Sequence, residues 1–271
     1  MRKTITSAAL SLEENKATGK RTPLSTLSKM LGHDLINELA WRCPEADLVK
    51  LFKRNVSKNH LEVGVEGGYS LVKRLKANAE LMVSFLDSDK DSLKAAHKQA
   101  KHLSPHLYYA NLLQNWNFKS RKFDSINLNM VIQSLQGSFE DRLSTLFHNA
   151  RMCMAPKGKI FGSTLLGQAE NGKISSMLMA MYNKKGVLNN RKDNVRQLTN
   201  VLEYYFTDVK VFTVGSMALF EATMTAGKRD GYAQLVPYVA RRERADIREL
   251  PVYKIDNSRR KEVKMDRRFA F

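Results

Sequence analysis

Short apolar runs alternate with helical patterns through the middle of the chain. Strand-like runs cover residues 61–63, 81–86, 106–113, 123–128 and 159–165, and a hairpin is expected at residues 208–214 and 217–223. Helical spacing is found within residues 26–52, from near Tyr69, and over residues 91–102 and 138–154, where the last of these is closed by residues 155–158. This alternation predicts an α/β fold with a mainly parallel, doubly wound sheet.

A glycine-rich turn follows the first predicted strand. Gly64, Gly67 and Gly68 lack a Cβ, so the backbone there can approach a ligand closely. The next helix directs its N-terminal N–H groups into this turn, which is the arrangement of a nucleotide-cofactor site. Glu62 at the strand end, together with the absence of Lys-Ser/Thr after the glycines, argues against a phosphate-binding P-loop.

Polar residues stand at the ends of several predicted strands. In a doubly wound sheet, ligands bind beyond the carboxyl ends of the strands, so Glu62, Gly64, Asp87, Asn111 and Asn127 are expected to converge. Asp87 lies about 20 residues beyond the glycines and is placed to accept hydrogen bonds from ribose hydroxyls. NAD enzymes and adenosylmethionine enzymes share this feature, and the turn alone does not separate them.

Composition is that of a soluble globular protein. The chain has 271 residues, of which 43% are hydrophobic and 27% charged. No apolar run approaches the roughly 20 residues needed to span a bilayer. The N-terminal MRKTITSAALSL is short in apolar residues, so a cytoplasmic location is expected, with a mitochondrial presequence as the lesser alternative. Cys43 and Cys153 lack metal-ligand spacing and are expected to be reduced thiols.

The net charge of +18 is spread along the chain. Each end, residues 1–60 and residues 221–271, contributes +5. A diffuse positive field attracts RNA or any other polyanion without identifying which, and a solvated charged face explains it equally well. The basic residues considered for RNA are Lys184, Lys185, Arg191, Lys192, Arg196, Arg259, Arg260, Lys261, Lys264, Arg267 and Arg268.

Five motifs occur in one order along the chain. They are WRCP (41–44), the glycine turn, FDSINLNMVIQSLQG (123–137), MYNKKGVLNNRKDN (181–194) and VGSMALFEA (214–222). Together they resemble a group of class I S-adenosylmethionine-dependent methyltransferases with the patterns LDVGVGTGY, FDSIGLNYVLHCLPG, FGSTLLG and YNxKGxFxN. The resemblance covers about residues 40–222 and implies a Rossmann-like, mostly parallel seven-stranded sheet. That sheet would have an antiparallel last strand and a helical N-terminal cover.

The resemblance also implies roles for individual residues. Glu62 and Gly64 would line the methionine end of S-adenosylmethionine, Asp87 would hold the ribose, and Asn111 with Leu112 would meet the adenine edge. The remaining positions assigned to the cofactor are Glu66, Gly68, Asn127 and Leu128. On the acceptor side, the assigned residues are Asn129, Gln133 and Tyr182. Apart from the resemblance, His102, His106 and His148 are considered as bases, although each is more typical of a structural histidine, and Asn183 is considered beside Tyr182 for the acceptor wall. No catalytic residue and no metal ligand are assigned.

The chain departs from the family pattern at two places. Glu66 stands where the family has its middle glycine, and an anionic side chain there can weaken contact with the cofactor. Gln133 replaces the family's histidine and Gln136 its proline, so an imidazole that could act as a base is absent. Three explanations stay open: the acceptor needs no base, another group serves, or activity has been lost.

The leading hypothesis is therefore a methyltransferase that acts on the oxygen or nitrogen of a small molecule. The alternatives are an RNA methyltransferase and a catalytically silent, methyltransferase-like subunit that binds RNA or protein. Residues 1–40 are predicted to form a basic arm and helix, residues 41–223 the methyltransferase domain, and residues 224–271 a basic extension. The sequence does not indicate the oligomeric state.

Overall fold

The structure is a computed structural model that describes residues 40–65, 71–72, 75, 80–118, 122–169, 172–224 and 248–250. Glu66, Gly68, the predicted arm and most of the predicted C-terminal extension lie outside the described residues. The helix predicted from near Tyr69 is described at Leu71 and Val72, and Val65 is also helical.

Strands and helices alternate along the described chain. The strands are β1 (Asn59–Val63), β2 (Met82–Asp87), β3 (His106–Tyr109), β4 (Phe123–Asn129), β5 (Met154–Leu165), β6 (Thr207–Val214), β7 (Met217–Thr223) and β8 (Arg248–Leu250). The helices are α1 (Glu45–Asn55), α2 (Lys90–Gln99), α3 (Phe139–Cys153), α4 (Lys173–Lys184) and α5 (Val195–Tyr205). Short 3₁₀ helices span Lys101–Leu103 and Ile132–Ser134.

All of these strands join one sheet in the order β6-β7-β5-β4-β1-β2-β3-β8. Strands β1 to β5 are parallel to one another, and β7 is inserted antiparallel between β5 and β6. This confirms the predicted α/β fold, its parallel sheet and its antiparallel closing hairpin. The short strand β8 was not predicted, and it adds an antiparallel edge next to β3.

Two predicted boundaries were wrong. The third strand ends at Tyr109 instead of continuing to residue 113, because Asn111 Oδ1 accepts the Leu113 N–H at 2.9 Å and turns the chain. The fifth strand begins at Met154, directly after α3, although a separate turn was expected at residues 155–158. These residues instead bulge from the ladder, where the pairing with β4 shifts register.

The sheet separates two hydrophobic clusters, as expected for a parallel sheet covered on both faces. Leu61 and Val63 of β1 point into the first cluster, which α3 and α5 cover with residues such as Leu146 and Leu198. The second cluster contains the side chains of α1 and α2. The carboxyl ends of β1, β2 and β4 form an edge of the sheet between these two clusters, and the predicted cofactor residues lie along that edge.

Candidate cofactor and acceptor site

The turn after β1 is built around Gly64. Its φ of +75° lies in the left-handed region, and its N–H donates to the Leu86 carbonyl at 2.8 Å. A Cβ placed on this residue would lie 2.4 Å from Val131 Cγ2, so a larger residue would displace the segment that follows β4. Glycine is therefore required here both by the backbone conformation and by the available space.

Asp87 at the end of β2 fixes the start of the same turn. Its Oδ2 accepts the Val65 N–H at 2.8 Å and its Oδ1 accepts the Asp89 N–H at 2.9 Å. Burial raises the pKa of Asp87, and the hydrogen bonds from Asp89 and Val65 oppose that rise. Each carboxylate oxygen has two lone pairs, so both can still accept a ligand hydroxyl. Asp87 therefore fits its predicted ribose role and also holds the turn in place.

A buried polar chain crosses β1 and β4 below this edge. Asn127 Nδ2 donates to both carboxylate oxygens of Glu62, at 3.1 and 3.0 Å, and His60 Nε2 lies 2.9 Å from Glu62 Oε1. His60 Nδ1 is 2.7 Å from Ser125 Oγ, and the imidazole stacks on Phe161. Residues two apart on a strand share a face, which explains why β1 and β4 each supply two members.

Burial raises the pKa of Glu62, while the His60 and Asn127 side chains act in the opposite direction. The Glu62 side chain has no exposed surface and both of its oxygens are already hydrogen-bonded. Glu62 and Asn127 thus come together as the sequence predicted, but their side chains support the edge from within the protein. Their contact with the cofactor stays a prediction.

The residues predicted for the adenine edge and the mouth have different surroundings. Asn111 is exposed, whereas Leu112 and Leu128 are buried in the first cluster, so any cofactor contact by these two leucines would involve the backbone. Asn129 lies on the opposite face from Leu128, and its Oδ1 accepts the Ser163 hydroxyl. Each of these assignments stays a prediction.

The segment after β4 is held in an unusual conformation. Met130 has a φ of +57°, and its N–H donates to the Ser163 carbonyl at 2.8 Å. The Gln133 side chain donates to the Met130 carbonyl at 2.6 Å and accepts from Thr164 Oγ1 at 3.1 Å. Both ends of this amide are satisfied and the residue is buried, so Gln133 holds the segment in shape.

Helix α4 and the following loop cover the same edge. Tyr182 is only 1% exposed and its hydroxyl finds no hydrogen-bond partner among the described residues, while burial raises its pKa to about 12. Asn183 and Asn190 exchange hydrogen bonds, with Asn183 Nδ2 lying 2.8 Å from Asn190 Oδ1. Asn183 was a candidate for the acceptor wall, and the structure gives it this turn-holding role.

Sequence reasoning missed a buried ion pair beside this cover. Arg142 Nη2 donates to Asp193 Oδ1 at 2.7 Å, and Arg142 Nη1 donates to the Ile132 carbonyl at 2.7 Å. Both side chains are 1% exposed. Burial raises the pKa of Asp193 to about 7, although Arg142 acts to lower it. The pair links α3 and the segment after β4 to the loop after α4, and no local pattern in the sequence signals it.

The histidines considered as bases lie elsewhere. His106 is the first residue of β3 and stands at the opposite, amino end of the parallel strands. His102 contacts the Leu75 carbonyl at 2.9 Å, and His148 on α3 packs against Tyr205. Within the described ranges, no cluster of His, Cys, Asp or Glu is arranged to hold a metal ion. Of the helices described, none has the length and apolar character to cross a membrane.

The two cysteines are free and buried, as expected. Burial raises the pKa of each thiol to about 12, which leaves them unreactive at neutral pH. The described residues at the carboxyl edge therefore fit S-adenosylmethionine in two respects. Gly64 gives a tight turn with a left-handed backbone and no Cβ, and Asp87 offers a fixed carboxylate for the ribose.

Comparison with known proteins agrees with this fit. No family model matches the chain. It is 30% identical to the Escherichia coli protein YbcY over 69% of this chain and 96% of that one. It is 30% identical to methyltransferase ctvB of Aspergillus terreus, over 68% and 82% of the two chains. It is 26% identical to demethylluteothin O-methyltransferase of Streptomyces thioluteus, over 69% and 81%.

A solved structure has the same fold. The N-methyltransferase NodS from Bradyrhizobium japonicum, in complex with S-adenosylhomocysteine, aligns with a TM-score of 0.52 and 15% identity. The alignment covers 73% of this chain and 96% of NodS. The sheet order, the turn at Gly64, the identity to ctvB and the alignment to NodS together assign the family. The chain belongs to the class I S-adenosylmethionine-dependent methyltransferases.

Proposed function

We propose that this protein transfers the methyl group of S-adenosylmethionine to an oxygen or nitrogen atom of a small-molecule acceptor. The observation that carries the proposal is the contact between the glycine turn and Asp87 at the carboxyl edge of the sheet. The N–H of Val65, the residue after Gly64, donates to the Asp87 carboxylate there. The acceptor class is inferred from the O-methyltransferase of S. thioluteus and from the N-methyltransferase NodS.

The chain's own residues have a positioning role in this reaction. When bound, S-adenosylmethionine supplies a methyl group carried on a positively charged sulfur. The Gly64 backbone would hold the methionine end, and Asp87 would accept hydrogen bonds from the ribose. Helix α4 and its following loop would exclude water above β4. Methyl transfer depends chiefly on such positioning and desolvation.

We infer that none of the candidate histidines among the described residues removes the proton of the acceptor. Gln133 replaces the family's histidine and uses both ends of its amide within the protein. The three histidines first considered lie away from the carboxyl edge or are engaged in packing. An amine or an acidic hydroxyl would satisfy this condition, because its deprotonated form is available near neutral pH.

The exposed basic residues near the cover favour an anionic acceptor over a neutral one. Lys184 ends α4, and Arg191, Lys192 and Arg196 follow on the loop and on α5. Four exposed cations raise the local concentration of an anion before it binds. RNA is the alternative anion, and its binding would decrease steeply with salt, whereas a small anionic acceptor neutralises few charges.

Isothermal titration with S-adenosylmethionine and S-adenosylhomocysteine tests the proposal. Asp87→Ala should weaken binding by about 1–3 kcal/mol, the cost of a lost hydrogen bond to a charged group. Asp91→Ala is the matched control, since Asp91 is an exposed carboxylate on α2 that pairs with Lys94 on the same helix. Circular dichroism shows whether each variant is folded.

Two results would contradict the assignment at different levels. If the folded wild-type protein binds neither compound below millimolar concentration, the enzyme proposal fails and the silent-subunit alternative gains support. If the wild type binds but Asp87→Ala binds equally well, only the ribose assignment fails.

A further inference from the structure

A cleft with several charged residues in its lining opens at the amino edge of the parallel strands, away from the cofactor residues. Its volume is about 340 Å³, and its lining includes Ser57, Lys58, Asp124, Lys157 and Lys159. Cofactor residues stand at the other end of the same strands. Because β1 has five residues at about 3.3 Å each, the two edges are roughly 17 Å apart. The cleft is therefore separate from the methyl-transfer site.

The cleft is formed by the bulge in β5. Phe123 pairs with Met154 and Ser125 pairs with Lys159, so the intervening residues of β5 leave the ladder opposite Asp124. Lys157 has a φ of +62°, and its N–H donates to the Met224 carbonyl at 3.1 Å. The Met224 N–H returns a bond to the Gly158 carbonyl at 2.9 Å. These bonds fix the bulge, so the cleft has a defined shape.

The charges in the cleft are unbalanced. Among the described residues, neither Lys157 nor Lys159 makes an ion pair. Lys58 pairs with Glu80 at 2.8 Å, but both side chains are 69% exposed, so this pair is weak. Asp124, the acidic residue in the lining, accepts the Asn59 N–H through its Oδ2 at 3.1 Å.

We propose that this cleft is a second binding site, which takes a phosphate group attached to a hydroxyl-bearing sugar. Lys157 and Lys159, which have no ion-pair partner in the part of the chain that the structure describes, supply the charge that a phosphate requires, and the Asp124 carboxylate can accept hydrogen bonds from hydroxyl groups. The volume is within the roughly 300–1,000 Å³ of small-ligand sites, and three lysines and one aspartate contribute to the lining. The same sugar phosphate occurs free or within an RNA strand.

The test measures binding of ribose 5-phosphate to the full chain by isothermal titration. Saturating S-adenosylhomocysteine is present, so that the cofactor site cannot account for any signal. The variant Lys157→Gln/Lys159→Gln removes both unpaired charges and retains most of each side-chain length. The control Lys98→Gln/Lys101→Gln removes the same charge from exposed positions on and after α2. A short single-stranded oligoribonucleotide forms the second arm.

Ribose 5-phosphate should bind wild type and control alike, and should bind the Lys157/Lys159 variant at least tenfold more weakly. If only the oligoribonucleotide binds, and this variant again weakens it tenfold while the control does not, the phosphate belongs to a strand and the site is supported. If wild type binds neither compound, or if both variants lose affinity equally, the proposal is overturned. None of these outcomes depends on methyl transfer.

Discussion

Substitution of Gly64 by alanine tests the geometry of the cofactor turn most directly. Two costs are expected. A non-glycine residue in the left-handed region costs about 1–2 kcal/mol, and Gly64 has a φ of +75°. The new Cβ would lie 2.4 Å from Val131 Cγ2, well inside the carbon–carbon contact distance, and such overpacking costs about 1–3 kcal/mol. The sum, about 2–5 kcal/mol, is a large part of the stability of a typical domain.

Gly186→Ala separates these two costs. Gly186 has a φ of +70°, close to that of Gly64, but a Cβ there would meet nothing within 4 Å. It should therefore show the backbone cost alone. In urea denaturation, the difference in unfolding free energy between the two variants should be about 1–3 kcal/mol, with unchanged m-values. Gly64→Ala should also weaken S-adenosylhomocysteine binding, whereas Gly186→Ala should not.

A double substitution tests whether the Val131 side chain is responsible for the steric cost. Val131→Ala removes the Cγ2 that the new Cβ would strike, although Val131 Cβ itself would still be only 2.7 Å away. The double variant Gly64→Ala/Val131→Ala should be more stable than the sum of its single changes by about 1 kcal/mol, within the range seen for residues in contact. If Gly64→Ala and Gly186→Ala lose equal stability, the close approach of Gly64 to Val131 is wrong.

Three further predictions concern buried polar groups. Arg142→Met removes the donor to Asp193 and to the Ile132 carbonyl and should cost about 1–3 kcal/mol of unfolding free energy in urea at pH 7, because the carboxyl of Asp193 can then stay protonated; adding Asp193→Leu should recover much of this cost. Burial raises the pKa of Asp193 to about 7, so the folded state binds more protons than the unfolded state between about pH 4 and pH 7. The free energy of unfolding should therefore decrease as the pH rises through this range, and Asp193→Asn should flatten that slope. Asn127→Leu leaves His60 as the side-chain partner of Glu62 among the described residues and should cost about 1–3 kcal/mol of unfolding free energy. An unchanged denaturation midpoint would show that the Glu62–Asn127 contact contributes nothing.

Local patterns predicted most of the fold because they reflect local physics. Alternating and continuous apolar runs located β1, β2, β4 and the β6–β7 hairpin within one or two residues. The glycine turn and Asp87 could also be recognised in the sequence, because each depends on a residue type at a short, fixed spacing from the first predicted strand. The end of β3 was missed because it depends on a single side chain, Asn111, whose Oδ1 accepts the Leu113 N–H.

Long-range contacts were beyond the sequence patterns. Arg142 and Asp193 are 51 positions apart, and either residue alone suggests an exposed charged side chain. Only the packing of α3 against the loop after α4 removes both from water. Strand β8 is similar, because three residues carry no strand signal until the edge of β3 is available to pair with them.

Glu62 shows why a motif position does not by itself define a contact. The period of β1 places Glu62 on the face of His60, and this much follows from the sequence. Whether that face opens onto a ligand depends on what covers it, and here Phe52 of α1 and Phe161 of β5 pack around His60. The carboxylate is consequently used within the sheet, where it accepts hydrogen bonds from Asn127 and joins β1 to β4.

Asp87 stands one strand away, is also largely buried, and holds the turn through the Val65 N–H. The two carboxylates therefore stabilise the same edge from different sides, but only Asp87 directs its hydrogen bonds into the cofactor turn. Loss of Glu62 or Asn127 should then reduce stability first, whereas loss of Asp87 should reduce cofactor affinity in a protein that still folds.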